Sequence, residues 1–253
     1  MAGDISADAP DDPAGTPDST SDSPGRNEAE GNAANAPTSP TTDGRALRAE
    51  RRRAERRTAI TDAAKRVFRA KGYHQASVHD IIDEARIARG TFYLYYASKQ
   101  EIFGELVDEF LKILRMQVKT ISIGGGAPEP RDQLRANFRR VVSAVLAHEE
   151  VASVILRDPT GFDDESKQQV GRFFERVLQM LSAALRVGED LGLVRECDRA
   201  IVSATALGGV QEVLVRMLAV HNDDDPSESN AAFRDPDRIA DELLALFFRG
   251  IFV

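Results

Sequence analysis

The segment Arg89-Gly-Thr-Phe-Tyr-Leu-Tyr95, followed closely by Ser98-Lys99, holds the residue types in this chain best suited to chemistry, and that chemistry is binding. The planar guanidinium of Arg89 fits a guanine edge or a phosphate, and a glycine beside it lets the backbone approach a groove closely. Thr91 brings a hydroxyl together with a methyl that suits the thymine methyl. Tyr93 and Tyr95 offer hydroxyls to phosphates, contacts that orient a helix without reading sequence. Leu94 is expected to face outward with them. Lys99 stands at a helix start, where its charge and the free backbone N–H groups both favour a phosphate. Ser77, at the start of the preceding helix, joins this set. The arginine run Arg45, Arg48, Arg51, Arg52, Arg53, Arg56 and Arg57 lies just upstream. Arg52 and Arg56 are the candidates there for tracking phosphates or entering a minor groove, against the simpler expectation of a solvated helix with Glu50 and Glu55 as ion-pair partners.

The elements that must position these groups are legible. Ile60, Ala63, Ala64, Val67 and Phe68 recur at helical spacing over 58–71, and Gly72 ends that helix as a left-handed cap would. Ser77 with Asp80 has the pattern of a capping box, and Ile81, Ile82 and Ala85 face a core behind it. A short turn at Arg86-Ile87-Ala88 leads to a helix over roughly 89–96, with Phe92 and Tyr96 turned inward. His79 either pairs with Asp83 or approaches a phosphate. Ser98 with Glu101 caps a long helix whose apolar face runs Ile102, Phe103, Leu106, Val107, Phe110, Leu111 and Leu114.

The net charge of −8 hides a strongly divided chain. Residues 1–43 hold nine acidic residues against Arg26 alone, and with almost no large apolar side chain they are expected to form a disordered acidic tail. Residues 44–100 carry +8, and 101–253 carry −8. Overall acidity is therefore no argument against nucleic acid, because the charge of the binding module is what matters.

Residues 54–114 resemble the DNA-binding head of the TetR family of bacterial regulators. The resemblance rests on Phe68 with the Gly72-Tyr73 break, Ser77-x-x-x-Ile81-x-x-x-Ala85, Arg89-Gly-Thr-Phe-Tyr-x-Tyr95 and Ser98-Lys99-x-x-Ile102-Phe103. Arg86 stands where the family usually has a turn glycine, and Ala88 where it has a Ser or Thr cap. A left-handed arginine costs ~1 kcal/mol, and a missing cap about as much. Arg86 could add a phosphate contact in return.

The rest of the chain reads as helices near 131–147, 148–157, 164–187, 198–219 and 236–252, with breaks at Gly124–Pro128, Asp158–Gly161, Gly188–Gly192 and His221–Asn230. No useful stretch alternates with period two. The expected class is all-α: an arginine-rich arm over 44–57, a helix-turn-helix head over 54–114 with its motif at 77–96, and a helical-bundle domain over 115–253. The resemblance implies a homodimer formed through the last two long helices, here 198–219 and 236–252. It also implies a palindromic operator in double-stranded DNA, and release by a small apolar effector. Phe138, Val142, Val145, Leu156, Phe173, Phe174 and Leu178 are the candidate lining of an effector pocket, although each taken singly is better explained as ordinary core.

Catalysis is not expected. The chain has no P-loop, no Gly-x-Ser-x-Gly and a single cysteine, Cys197. His221-Asn-Asp-Asp-Asp225 has ligand-type side chains but reads as a solvated turn, so neither a metal nor a cofactor is expected. The first residues lack the basic and apolar regions of a secretory signal, and Glu242–Phe248 falls short of the ~20 residues that span a bilayer. A cytoplasmic protein with no membrane association is the expectation. The rivals to a ligand-responsive repressor are an architectural DNA binder without an effector and, further off, a soluble all-α enzyme.

Overall fold

A computed structural model describes residues 42–156, 162–221 and 231–250. The chain divides into two units, Met1–Arg45 and Ala46–Val253. The first contributes only 42–45 to the described residues, and the acidic tail over 1–41 lies outside them. So do the breaks expected at 158–161 and 222–230 and the end of the last helix at 251–252. Among the described residues the chain is all-α, without a strand. The helices are α1 (Thr42–Gln75), α2 (Val78–Ala85), α3 (Arg89–Tyr93), α4 (Lys99–Gln117), α5 (Pro130–Ala147), α6 (Glu149–Leu156), α7 (Asp164–Asp190), α8 (Arg199–His221) and α9 (Pro236–Gly250), with a 3-10 turn at Ala232–Arg234 before α9.

The arm and the first head helix, read separately from the sequence, are one element. No glycine or proline intervenes between Gly44 and Gly72, alanines at 46, 49, 54 and 59 favour helix, and Arg51 pairs with Glu55 one turn on at 3.0 Å. Gly72 then interrupts α1 with φ 74° and ψ 157°. That conformation is left to glycine, but it is not the left-handed cap expected from the sequence. The third helix is also shorter than read. Its hydrogen bonds tighten after Phe92, with Leu94 N bonding Thr91 O at 3.3 Å and Tyr95 N bonding Phe92 O at 2.9 Å.

The spacing of apolar residues explains the packing. Ile60, Ala63, Ala64, Val67 and Phe68 of α1 meet Ile81, Ile82, Phe92 and Tyr96, closing the head over Ile102, Phe103 and Leu106 of α4. Helix α4 carries the core onward. Its Phe110 stacks on Phe173 of α7 at 6.0 Å, and Val142, Val145, Ala152, Ile155 and Leu218 complete the body. Helices α5 and α9 are tied at the surface by Arg135–Asp241 at 2.6 Å and by Arg139–Asp237. Asp198 and Asp235 cap α8 and α9 by accepting from backbone N–H groups two and three residues on.

Arg86 adopts the left-handed conformation, φ 52° and ψ 49°, and its N–H reaches Asp83 O and Ile82 O. Ala88 opens α3 without a side-chain cap. The turn therefore has the geometry that glycine favours, built with an arginine. Arg86→Gly is expected to raise the stability of the head by up to ~1 kcal/mol, the steric cost of that conformation less the added freedom of the unfolded chain. Urea unfolding followed by circular dichroism measures it, and a destabilised variant would mean the arginine side chain contributes more than its strain costs.

Helix α8 is long and apolar enough, by length and composition, to cross a membrane. Only 22% of its most apolar window is buried, Ile201 is 65% exposed, and a side chain at Gly208 or Gly209 would meet open space. A surface of small and aliphatic residues on a helix punctuated by Arg199, Glu212 and Arg216 is well shaped for a second helix to approach closely.

Candidate nucleic-acid interface

The five residues of α3 divide by burial into a fixed inner side and an open outer one. Phe92 is fully buried and Tyr96, just beyond the helix, is 1% exposed; together they fasten α3 to α1 and α4. Outward stand Arg89, Gly90, Tyr93 at 48% and Leu94 at 75% exposure. The Arg89 guanidinium lies 5.8 Å from the centre of the Tyr93 ring, which itself meets Phe92 edge-on at 5.3 Å. This chain of contacts pre-orients the arginine at little entropic cost. No atom lies within 4 Å of where a Gly90 side chain would stand, so the backbone there is open to a close-fitting surface. Thr91 is half-buried, and Tyr95 packs partly against the head core rather than facing fully outward. His79 lies 3.6 Å from Asp83, with both side chains exposed.

Ser77 is occupied by its own helix. Its hydroxyl accepts from Asp80 N at 3.2 Å and donates to Asp80 Oδ2 at 2.7 Å, while Ser77 N donates to the same carboxylate at 2.9 Å. Lys71, at 2.6 Å, and these Ser77 bonds hold the Asp80 carboxyl well below the usual range.

The structure gives Lys99 a different task from the phosphate contact expected of it. Its Nζ donates to the carbonyls of Tyr73 at 3.0 Å, His74 at 3.3 Å and Ala76 at 2.9 Å, and sits 4.5 Å from the centre of the Tyr73 ring. An ammonium has three N–H bonds, and here all three are engaged. Burial pushes its pKa down. Lys99 clamps the end of α1, beyond its break at Gly72, and the link from there to α2.

Arg57 is the residue the sequence reading misplaced most clearly. Grouped with the arm, it instead pairs with Glu105 of α4 through Nε at 3.0 Å and Nη2 at 2.5 Å, and lies over Tyr96 at 5.3 Å from the ring centre. The Tyr96 hydroxyl donates to the same carboxylate at 3.0 Å. Burial raises the Glu105 pKa, but the hydrogen bonds from Arg57 and Tyr96 outweigh it and hold the carboxyl below its ordinary value. A carboxylate depressed in the folded state contributes stability above its unfolded pKa of ~4.3, and loses it as pH falls through the lower folded value. Head stability should therefore decline below about pH 4.3, and Glu105→Gln should flatten that part of the profile. Urea midpoints between pH 3 and 6 would show it; identical slopes in parent and variant would contradict the assignment. Arg52 and Arg56, one turn apart, remain exposed on α1 before Ile60, the first buried residue of the helix.

None of the seven candidate pocket residues lines either of two open cavities among the described residues. Val142, Val145, Leu156 and Phe173 lie in the core, Phe138 and Phe174 pack against it, and Leu178 is half-buried. One of these cavities, of about 560 Å3, lies between α4 and α5 and is lined by Ile113, Gln117, Arg139, Arg140, Ser143, Ala144, Ala147 and His148. Both of its arginines are engaged, Arg139 by Asp237 and Arg140 by Gln117 O and Asn137. The other, of about 690 Å3, surrounds half-exposed Cys197, whose Sγ lies 3.5 Å from Glu189 Oε1. Among the described residues no group of histidine, cysteine or carboxylate side chains is placed to hold a metal.

Residues 60–106, the segment that builds this surface, match the profile described as bacterial regulatory proteins, tetR family. The head of the chain is a TetR-type DNA-binding domain. Among TetR-type relatives, the HTH-type transcriptional regulator YfiR of Bacillus subtilis is 26% identical over 142 residues, which cover 54% of this chain and 67% of that protein. The fold is shared with the Bacillus subtilis regulator FadR, solved with stearoyl-CoA, at a TM-score of 0.60 and 22% identity over 76% of this chain and 98% of that one. It is shared too with AibR, solved with isovaleryl coenzyme A and operator DNA, at a TM-score of 0.55 and 19% identity over 76% of this chain and 97% of that one. These TetR-type proteins are transcriptional regulators and not enzymes.

Proposed function

We propose that this TetR-family regulator is a homodimeric repressor that docks α3 of each protomer in the major groove of a palindromic operator, and that a small, largely apolar effector releases it. The observation that carries the reading is the α3 surface: Arg89, Gly90, Tyr93 and Leu94 stand outward on a helix fixed from behind by Phe92 and Tyr96. A rigid helix with an outward arginine and an open glycine fits groove readout. The +8 of residues 44–100 supplies the attraction to phosphates, with Arg52 and Arg56 on the arm. The exposed faces of α8 and α9, with Ile201 at 65%, Leu246 at 67% and open space at Gly208 and Gly209, suit pairing with a second copy. The working site is the cytoplasm.

Selection of bound duplexes from a random pool tests this, with an inverted repeat as the expected product and a featureless pool as the outcome against it. On the selected duplex, Arg89→Ala should cost about 1–3 kcal/mol and relax preference at one position of each half-site. An equal loss on every duplex would instead mean a phosphate contact.

For the effector, acyl chains are the first apolar groups to screen, presented as CoA thioesters because FadR and AibR were solved with such ligands. The closed packing around Phe173 and Val145 favours a second reading, a DNA binder that needs no effector. A thermal-shift screen of acyl-CoAs across chain lengths separates the two, since a true effector raises the melting temperature and lowers duplex affinity.

A further inference from the structure

The turn that precedes the helix-turn-helix is held from two directions, and only one of them lies within the head. From within, Lys99 clamps the carbonyls of Tyr73, His74 and Ala76. From the body, the first turn of α7 receives the Tyr73 side chain. The Tyr73 hydroxyl lies 2.6 Å from Ser166 Oγ and 3.2 Å from Asp163 Oδ2. Ser166 is fully buried and Tyr73 is 5% exposed. Asp163 is at the same time the cap of α7, its Oδ1 accepting from Ser166 N at 2.9 Å. Its other oxygen also accepts from Gln100 Nε2 at 3.1 Å, on the first turn of α4. Gln169, one turn further along α7, donates to Gln100 O at 3.2 Å and crowds Gly104 so closely that a side chain there would lie 2.7 Å from its amide nitrogen. The Tyr73 ring is packed by Phe68 at 5.3 Å, Phe103 at 4.6 Å and Phe162 at 5.1 Å.

We infer that Tyr73 is a positioning residue for DNA recognition, latching the head to the capped start of α7 so that the attitude of α7 sets the attitude of α2 and α3. The physical argument is directional. A ring packed among phenylalanines fixes location only loosely, whereas a buried hydroxyl shared between Ser166 and Asp163 fixes rotation. Both partners sit on the helix that carries Phe173 against Phe110 and Arg176 against Asp108 at 2.7 Å, so a shift of α7 in the body reaches Tyr73 through rigid elements. The inference rests on the two-headed repressor reading above, because attitude matters only where two heads must meet two half-sites.

The test uses full-length Tyr73→Phe and Ser166→Ala against two probes, the duplex selected by the parent protein and a random-sequence duplex of equal length. Each variant is expected to lose about five-fold or more in affinity for the selected duplex, the worth of one lost hydrogen bond. Affinity for the random duplex should be unchanged, since charge and salt response are untouched. Hydrogen exchange over 72–96 should quicken while the amides of α8 keep the parent rate. A selected-to-random affinity ratio equal to the parent's would overturn the inference. So would an equal loss on both duplexes accompanied by faster exchange throughout the chain, which is the signature of a purely structural tyrosine. Failure of the parent to enrich any duplex would count against the repressor reading instead, and the exchange measurement would still decide whether the latch exists.

Discussion

Phe92→Ala should abolish specific duplex binding and leave the α-helical body folded. The ring is fully buried and bridges Tyr93 at 5.3 Å and Tyr96 at 6.2 Å. Truncating a buried phenylalanine costs ~3–5 kcal/mol, a large share of the whole stability of a domain. The loss falls on a helix of five residues that cannot hold itself together, because nucleating a single turn is unfavourable without tertiary contacts. With the pin removed, Arg89 and Tyr93 lose their common platform. Hydrogen exchange should localise the change to 77–98, and binding to the selected duplex should fall to the level of random DNA. A variant less than 1 kcal/mol destabilised that still prefers its selected duplex would show that α3 is held by something other than Phe92.

Lys99→Ala is expected to destabilise the head by about 1.5–3 kcal/mol, the range for hydrogen bonds to a charged group, and to leave the salt dependence of DNA binding by the folded fraction unchanged. A lysine on a phosphate would behave in the opposite way, with little change in stability and a salt slope shallower by roughly 0.9. The two roles are separated by one pair of experiments, urea unfolding and a salt titration. Lys99→Arg should restore only part of the loss, since a flat fork cannot aim at three carbonyls gathered around one point.

The parts of this chain that were legible from sequence are those where function and local rules coincide. Ser77 with Asp80 announced a helix start, and both halves of that box are present. The helical recurrence of Ile60, Ala63, Ala64, Val67 and Phe68 marked a buried face, and all five are buried. The body helices fell within a few residues of their expected limits because Pro130, Asp163 and Pro236 punctuate them. Lys99 and Arg57 were not legible, and for one reason. Their partners are backbone carbonyls 23 to 26 residues away and a carboxylate 48 residues away, and neither leaves a local mark in the sequence. Tyr73 was visible only as a neighbour of Gly72; its bonds to Asp163 and Ser166 cross 90 and 93 residues. The apolar candidates for an effector pocket could not be told from core by type, and the structure packs most of them as core.

The continuity of α1 has a mechanical meaning. Residues 45–59 of α1 are exposed while Ile60 and the buried positions after it are held by the head, so Arg52 and Arg56 ride on a lever whose pivot is the head core. From Ala46 to Ile60 the lever is about 21 Å long at the rise of an α-helix. A tilt of ~5° about the pivot would displace its tip by ~2 Å, enough to break a hydrogen bond to a phosphate. Helix α3 lies close to the pivot and would move far less. On the repressor reading, the arm is thereby the part of the molecule whose grip on phosphates would be most sensitive to the angle of the head.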